Sequence, residues 1–122
     1  MRSGSFLKNL GFAWKGIWYA LVSQRNMKIH VLAAFLVLVS GWFLQLNRME
    51  WVLIIFAISL VWVAEIINTS LEEIVDLVSP GYNAKAGQAK NLGAAAVLVA
   101  AINSVFIGLF ILGPHLLQWM AR

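Results

Sequence analysis

A chain of 122 residues in which 61% are hydrophobic and 11% charged carries too much apolar surface for a soluble domain. Its formal net charge of +4 is explained by membrane orientation and attraction to anionic lipid, not by a nucleic-acid footprint. The absence of cysteine excludes disulfides and any thiolate metal site.

In chain order, positions 5–22 read as a helix lying on the membrane surface. Phe6, Leu10, Ala13, Ile17 and Leu21 recur at helical spacing, with Lys8 and Lys15 on another face. Trp14, Trp18 and Tyr19 suit the headgroup boundary. The first 28 residues lack the compact apolar core and small-residue cleavage site of a signal peptide. Three apolar runs follow, and no strand alternation interrupts them. The first span covers about 29–46, the second about 51–78 and the third about 92–112, all in one domain over 1–122. Trp42 and Trp51 bracket a short hairpin at Gln45 to Glu50. Ser79-Pro80-Gly81 breaks the second helix, and Tyr82 to Gln88 is expected to form a polar loop or a short helical turn. Ala96, Ala100, Ser104 and Gly108 form a small-residue packing ridge in the third span, where Asn103 is expected to bond across helices. Gly113-Pro114 is expected to end that helix. The architecture is therefore all-α: an amphipathic surface helix plus three transmembrane helices.

The basic residues orient this bundle. Arg2, Lys8, Lys15, Arg25, Lys28, Lys85 and Lys90 fall on one side, against Arg48 and Arg122 on the other. The side with more lysine and arginine is cytoplasmic, so the amino terminus is expected inside.

Four of the five acidic residues, Glu65, Glu72, Glu73 and Asp76, crowd the inner end of the second helix. At about 100° per residue, Glu65, Asn68, Glu72 and Asp76 share one stripe. Ionisable groups at membrane depth are costly and face a partner, a cavity or a substrate. Carboxylates a few turns apart, with Lys90 across a short loop, suit phosphoryl transfer from a magnesium nucleotide. Magnesium takes one or two carboxylates plus substrate phosphates, and a lysine adds a point charge. A deeper carboxylate can accept a proton from an alcohol. The same pattern also serves proton-coupled transporters, and pairing of Glu73 or Asp76 with Lys85 or Lys90 would be purely structural.

Read in order, Glu65-Ile66-Ile67-Asn68-Thr69-Ser70-Leu71-Glu72-Glu73-Ile74-Val75-Asp76, followed by Lys90 and Gly93-Ala94-Ala95-Ala96, narrows the choice. This block resembles the prokaryotic diacylglycerol kinase and undecaprenol kinase family, as do Asn26-Met27-Lys28-Ile29-His30 and Arg48-Met49-Glu50-Trp51. The resemblance covers nearly the whole chain and leans towards the undecaprenol kinase branch. It implies a homotrimer in the bacterial cytoplasmic membrane, with sites shared between subunits. It further implies transfer of the ATP γ-phosphate, with Mg2+, to the hydroxyl of undecaprenol or diacylglycerol.

Carried over by position, Glu65 would be the general base, with Asn68 beside it, and Glu72 a magnesium ligand. Asp76 would support the site. Lys90 would meet the phosphates, and Phe12 falls where the family has an aromatic near the adenine. The sequence also departs from the family. Gln24 stands where a metal-binding glutamate is usual, Gly81-Tyr82-Asn83 replaces Glu-Tyr-His, and Asn91 replaces aspartate after Lys90. A neutral amide is a weak magnesium ligand, so nucleotide and metal binding are expected to be weakened with the fold intact. An impaired family member that still binds lipid or nucleotide is the alternative reading, and a small proton-coupled transporter a further one. His30 is expected to hydrogen-bond at the start of its span, since a lone histidine lacks partners for acid–base work. His115 and Glu50, at the outer side, are expected to be structural.

Overall fold

The computed structural model describes residues 4–122, so Arg2, counted above among the orienting charges, lies outside the described residues. Four helices follow one another: α1 (Phe6–Ser23), α2 (Arg25–Leu44), α3 (Arg48–Val78) and α4 (Ala84–Met120). The last three are long and apolar enough to cross a bilayer, and α1 is the expected helix before the first span. The protein is an all-α, multi-pass membrane protein.

Local chemistry sets the boundaries. Gln24 alone separates α1 from α2, with extended backbone and its N–H donated to the Ala20 carbonyl. The first span therefore begins earlier than expected and stops at Leu44. There Gln45 adopts the left-handed conformation (φ 55°), making the turn to α3 only three residues long. Asn47 and Glu50 close a capping box: Asn47 Oδ1 accepts from the Glu50 N–H at 2.9 Å, and Glu50 Oε1 accepts from the Asn47 N–H at 3.0 Å. At this turn Gly41 provides room, since a Cβ there would meet the Trp51 ring at 2.8 Å and Leu46 at 2.9 Å. At its other end α3 stops at Val78, as the Ser79-Pro80 break requires.

Two expectations about α4 are corrected. It begins at Ala84, because the Asn83 side chain caps it by accepting from the Ala86 N–H at 3.1 Å; most of the anticipated 82–88 loop is thus helix. It also runs through Pro114 to Met120 instead of ending there. One lost backbone bond costs less than a run of unpaired peptide groups near lipid. The extension is also tied down: His115 Nε2 reaches the two carboxylate oxygens of Glu50 at 3.0 and 2.9 Å.

α3 packs most extensively on α4; α2 lies against both, and α1 touches α2 and α3. The apolar core, built on Leu46, Ile54 and Ile111 with Val37, Trp51 and Ile58 around it, sits at the turn end. Along α4 the buried ridge is Val97, Ala100 and Ile111, with Ser104 donating to the Ala57 carbonyl at 3.1 Å. Ala96 faces outward, so the small-residue ridge is narrower than the sequence spacing suggests. Asn103 is also exposed and makes no bond across helices among the described residues. Large apolar side chains such as Phe35, Phe56, Val99 and Phe110 point outward, as a lipid-facing surface requires.

Candidate functional site

Polar groups enter the bundle at the end opposite the turn. The Glu65 side chain is 1% exposed, and Asn68 and Thr69 are buried with it. Thr69 Oγ1 donates back to the Glu65 carbonyl at 2.8 Å, which leaves the Glu65 carboxylate without an intrahelical partner. Asn68, one turn further out, donates through Nδ2 to Glu72 Oε1 at 3.2 Å, while its Oδ1 is buried without a partner. The backbone of Gly93 on α4 makes this possible. A Cβ at Gly93 would overlap Asn68 Oδ1. Glycine there lets α4 approach closely enough to seal Asn68 between the helices.

Further out, Lys90 Nζ on α4 donates to Asp76 Oδ1 on α3. This is one of the ion pairs that the loop geometry allowed. The pair lies on the wall of an open hollow of about 320 Å³, lined also by Tyr82, Asn83 and Gly87. Tyr82 is 100% exposed at the edge of that hollow. α1 approaches from the side: the Tyr19 hydroxyl donates to Glu73 Oε1 at 2.6 Å. That bond, and then the negative charge of Glu73, raise the Tyr19 pKa above its ordinary 10.0.

The expected residues therefore fall into two groups. Glu65, Asn68 and Glu72 form a buried-to-half-buried row on α3, and Asp76, Lys90, Tyr82 and Asn83 surround the hollow beyond it. Gln24 is half-buried at the α1–α2 bend. Asn91 is exposed and outside the hollow's lining, and so is Phe12 on α1, whose ring lies 5.7 Å beneath the Lys15 ammonium. Asn83 has a structural duty as well, because its side-chain oxygen caps α4.

One residue that sequence reasoning set aside belongs here. His30 Nε2 on α2 lies 3.6 Å from Glu65 Oε2, so the histidine is not alone. A readable signal existed: His30 and Glu65 stand at similar distances on either side of the hairpin turn, which places them at similar depth in an antiparallel pair. From His30 an apolar cavity of about 170 Å³ extends between α2, α3 and α4, past Ala34, Val61 and Gly108.

Among the described residues no group of three or more histidine, aspartate or glutamate side chains could hold a metal ion. A resident metal cage is thus a poor fit. The donor set does fit magnesium that arrives on phosphates, because such an ion keeps waters and needs only one or two protein carboxylates. Glu72, with one oxygen free of Asn68, is one carboxylate available for this.

Comparison with known proteins matches the sequence to one group. The profile of prokaryotic diacylglycerol kinase matches residues 11–112. The undecaprenol kinase of Bacillus subtilis (strain 168) is 37% identical over 111 residues, covering 91% of this chain and 90% of that protein. A diacylglycerol kinase of Synechocystis is 37% identical over 117 residues, covering 95% of this chain and 67% of that protein. The diacylglycerol kinase of Escherichia coli (strain K12) is 32% identical over 109 residues, covering 89% of both chains. With a profile spanning most of its length and relatives matched nearly end to end, the chain belongs to the prokaryotic diacylglycerol kinase family.

Proposed function

We propose that this protein is a lipid kinase that moves the γ-phosphate of ATP, with Mg2+, onto the hydroxyl of a membrane lipid, undecaprenol or diacylglycerol. The observation that carries the reading is the depth order along the α3–α4 interface. A carboxylate almost sealed from solvent, Glu65, lies inward of an open hollow holding Lys90. A lipid hydroxyl reaches the first from the bilayer, and a nucleotide reaches the second from water.

In this mechanism Glu65 accepts the proton of the acceptor hydroxyl while the hydroxyl oxygen bonds to the γ-phosphorus. The bridging bond between the β- and γ-phosphates breaks, and ADP leaves with the electron pair. Phosphoryl transfer asks for positioning and charge compensation more than covalent chemistry. Lys90 supplies one charge, and Asp76 holds its ammonium at the rim until phosphates compete for it. Asn68 orients Glu72. Magnesium, held by Glu72 with Gln24 as a weaker neutral donor, would neutralise phosphate charge. Tyr82, Asn83, Asn91 and Phe12 would contact the nucleotide, the last two only after α1 or a neighbouring subunit closes in.

A homotrimer with shared sites completes the picture. Asn103 supports it, because an exposed amide in the middle of a span is costly to leave facing lipid and is satisfied by another helix. The excess of lysine and arginine at the Lys90 end supports a cytoplasmic amino terminus in the bacterial inner membrane.

The test is transfer of labelled γ-phosphate from MgATP to each lipid in micelles. Glu65→Gln should lower turnover by roughly 10²–10⁴-fold, the range of a general base, with nucleotide binding retained. Transfer undiminished in Glu65→Gln removes the reading. The impaired-member alternative is favoured by the amides at Gln24 and Asn91; it predicts no transfer until carboxylates are restored there.

A further inference from the structure

His30 Nε2 and Glu65 Oε2 face each other at 3.6 Å across the α2–α3 contact, with their side chains 19% and 1% exposed. Among the described residues neither atom has a hydrogen-bond partner. A carboxylate buried this completely is costly unless a donor answers it. Three other candidate donors are engaged elsewhere: Lys90 with Asp76, His115 with Glu50, Tyr19 with Glu73. On α3 the nearest polar neighbours towards the water, Asn68 and Glu72, bond to each other. The imidazole is therefore the nitrogen donor that faces Glu65.

Resting on the lipid-kinase reading, we infer that His30 is a positioning residue for Glu65: its Nε2–H, directed at Oε2, fixes the carboxylate and leaves Oε1 to take the proton of the acceptor alcohol. The gap exceeds a hydrogen bond and closes when substrates fill the site, as base contacts of this kind tighten on binding. Atoms balance without a further reactant. The hydroxyl proton passes to Glu65 Oε1 as the new O–P bond forms and the β–γ bridge breaks, and His30 keeps its own proton. His30 also stands at the mouth of the apolar cavity. One side chain thus sets the carboxylate's rotamer beside the space an alkyl tail would take.

Two substitutions separate positioning from packing. Gln offers an N–H near the Nε2 position, whereas Leu fills similar space with no donor. In the micellar phosphotransfer assay, His30→Leu should lower kcat by roughly 10–100-fold with KM for MgATP changed less than about twofold, the pattern of a misplaced group. His30→Gln should recover most of that loss. Binding of a fluorescent ATP analogue by both variants verifies that they fold. Unchanged turnover in His30→Leu, or equal loss in both variants, overturns the inference. A second readout needs no turnover: the ¹⁵N resonance of the His30 Nε2 in the intact protein should move in Glu65→Gln. An unmoved resonance overturns the pairing itself. A wild-type protein that phosphorylates no lipid overturns the kinase reading and the role with it, while the nitrogen resonance still decides whether the two side chains meet.

Discussion

Gly93→Ala offers a quantitative probe of the site, because the glycine packs directly on Asn68 and brings no reactive side chain of its own. The added methyl would overlap Asn68 Oδ1 and lie 3.4 Å from Asn68 Cγ and 3.6 Å from Leu71 Cδ2. Asn68 is only 7% exposed, so its amide has little room to swing aside and must release Glu72. A hydrogen bond to a charged group is worth about 1.5–3 kcal/mol. Replacing a helical glycine by alanine returns about 1 kcal/mol of helix propensity. The net loss of stability is then about 0.5–2 kcal/mol, small enough to leave a folded protein. The site feels the whole displacement of Glu72. At 1.36 kcal/mol per decade, kcat/KM should fall by roughly 10–150-fold. The assay is phosphotransfer with and without Asn68→Ala in a double-mutant cycle. In the Asn68→Ala background there is no amide to push, so Gly93→Ala should cost almost nothing further. Equal losses in both backgrounds would refute the steric chain from Gly93 through Asn68 to Glu72.

Three further outcomes are expected. Lys90→Met removes the point charge from the hollow and should raise KM for MgATP by roughly tenfold or more, measured by initial rates; an unchanged KM would mean that Lys90 serves Asp76 alone. Gln24→Glu with Asn91→Asp should lower the magnesium concentration for half-maximal activity on the order of tenfold, because charge count tunes hard-cation affinity. Tyr19 should make α1 docking sensitive to alkali. Its pKa is raised, first by the hydrogen bond to Glu73 and then by that residue's charge, so the contact stabilises fully below pH 10.0 and is lost as pH rises through the raised value. Spin labels at Leu7→Cys and Leu77→Cys, in a chain with no native cysteine, would report the separation; Tyr19→Phe should abolish the alkaline step.

How much of this was legible beforehand depended on the scale of the signal. The three spans and the end of α3 at Val78 follow from apolar length and a Pro break, and both survive in the structure. The stripe from Glu65 to Asp76 follows from helical periodicity alone. Interactions set by tertiary approach were not legible. The spacing from the hairpin places His30 and Glu65 at similar depth, but which faces of α2 and α3 meet there, and so the contact itself, is set by helix packing. By the local rule Pro114 is a terminator, and that rule omits the His115–Glu50 contact that holds the helix beyond it. The occlusion of Asn68 by Gly93 likewise depends on how closely two helices approach, which composition leaves open.

The three-residue turn that Gln45 opens has a consequence for what lies at the far side of the membrane. With so little chain between α2 and α3, neither can slide past the other without the turn itself being rebuilt. One residue inserted into α3 just beyond the turn would rotate the rest of that helix by about 100° and swing Glu65 out of line with His30. Lesions at this distant bend should therefore present as chemical defects in proteins that are otherwise well assembled, and a screen for inactive variants ought to recover them far from any reacting atom.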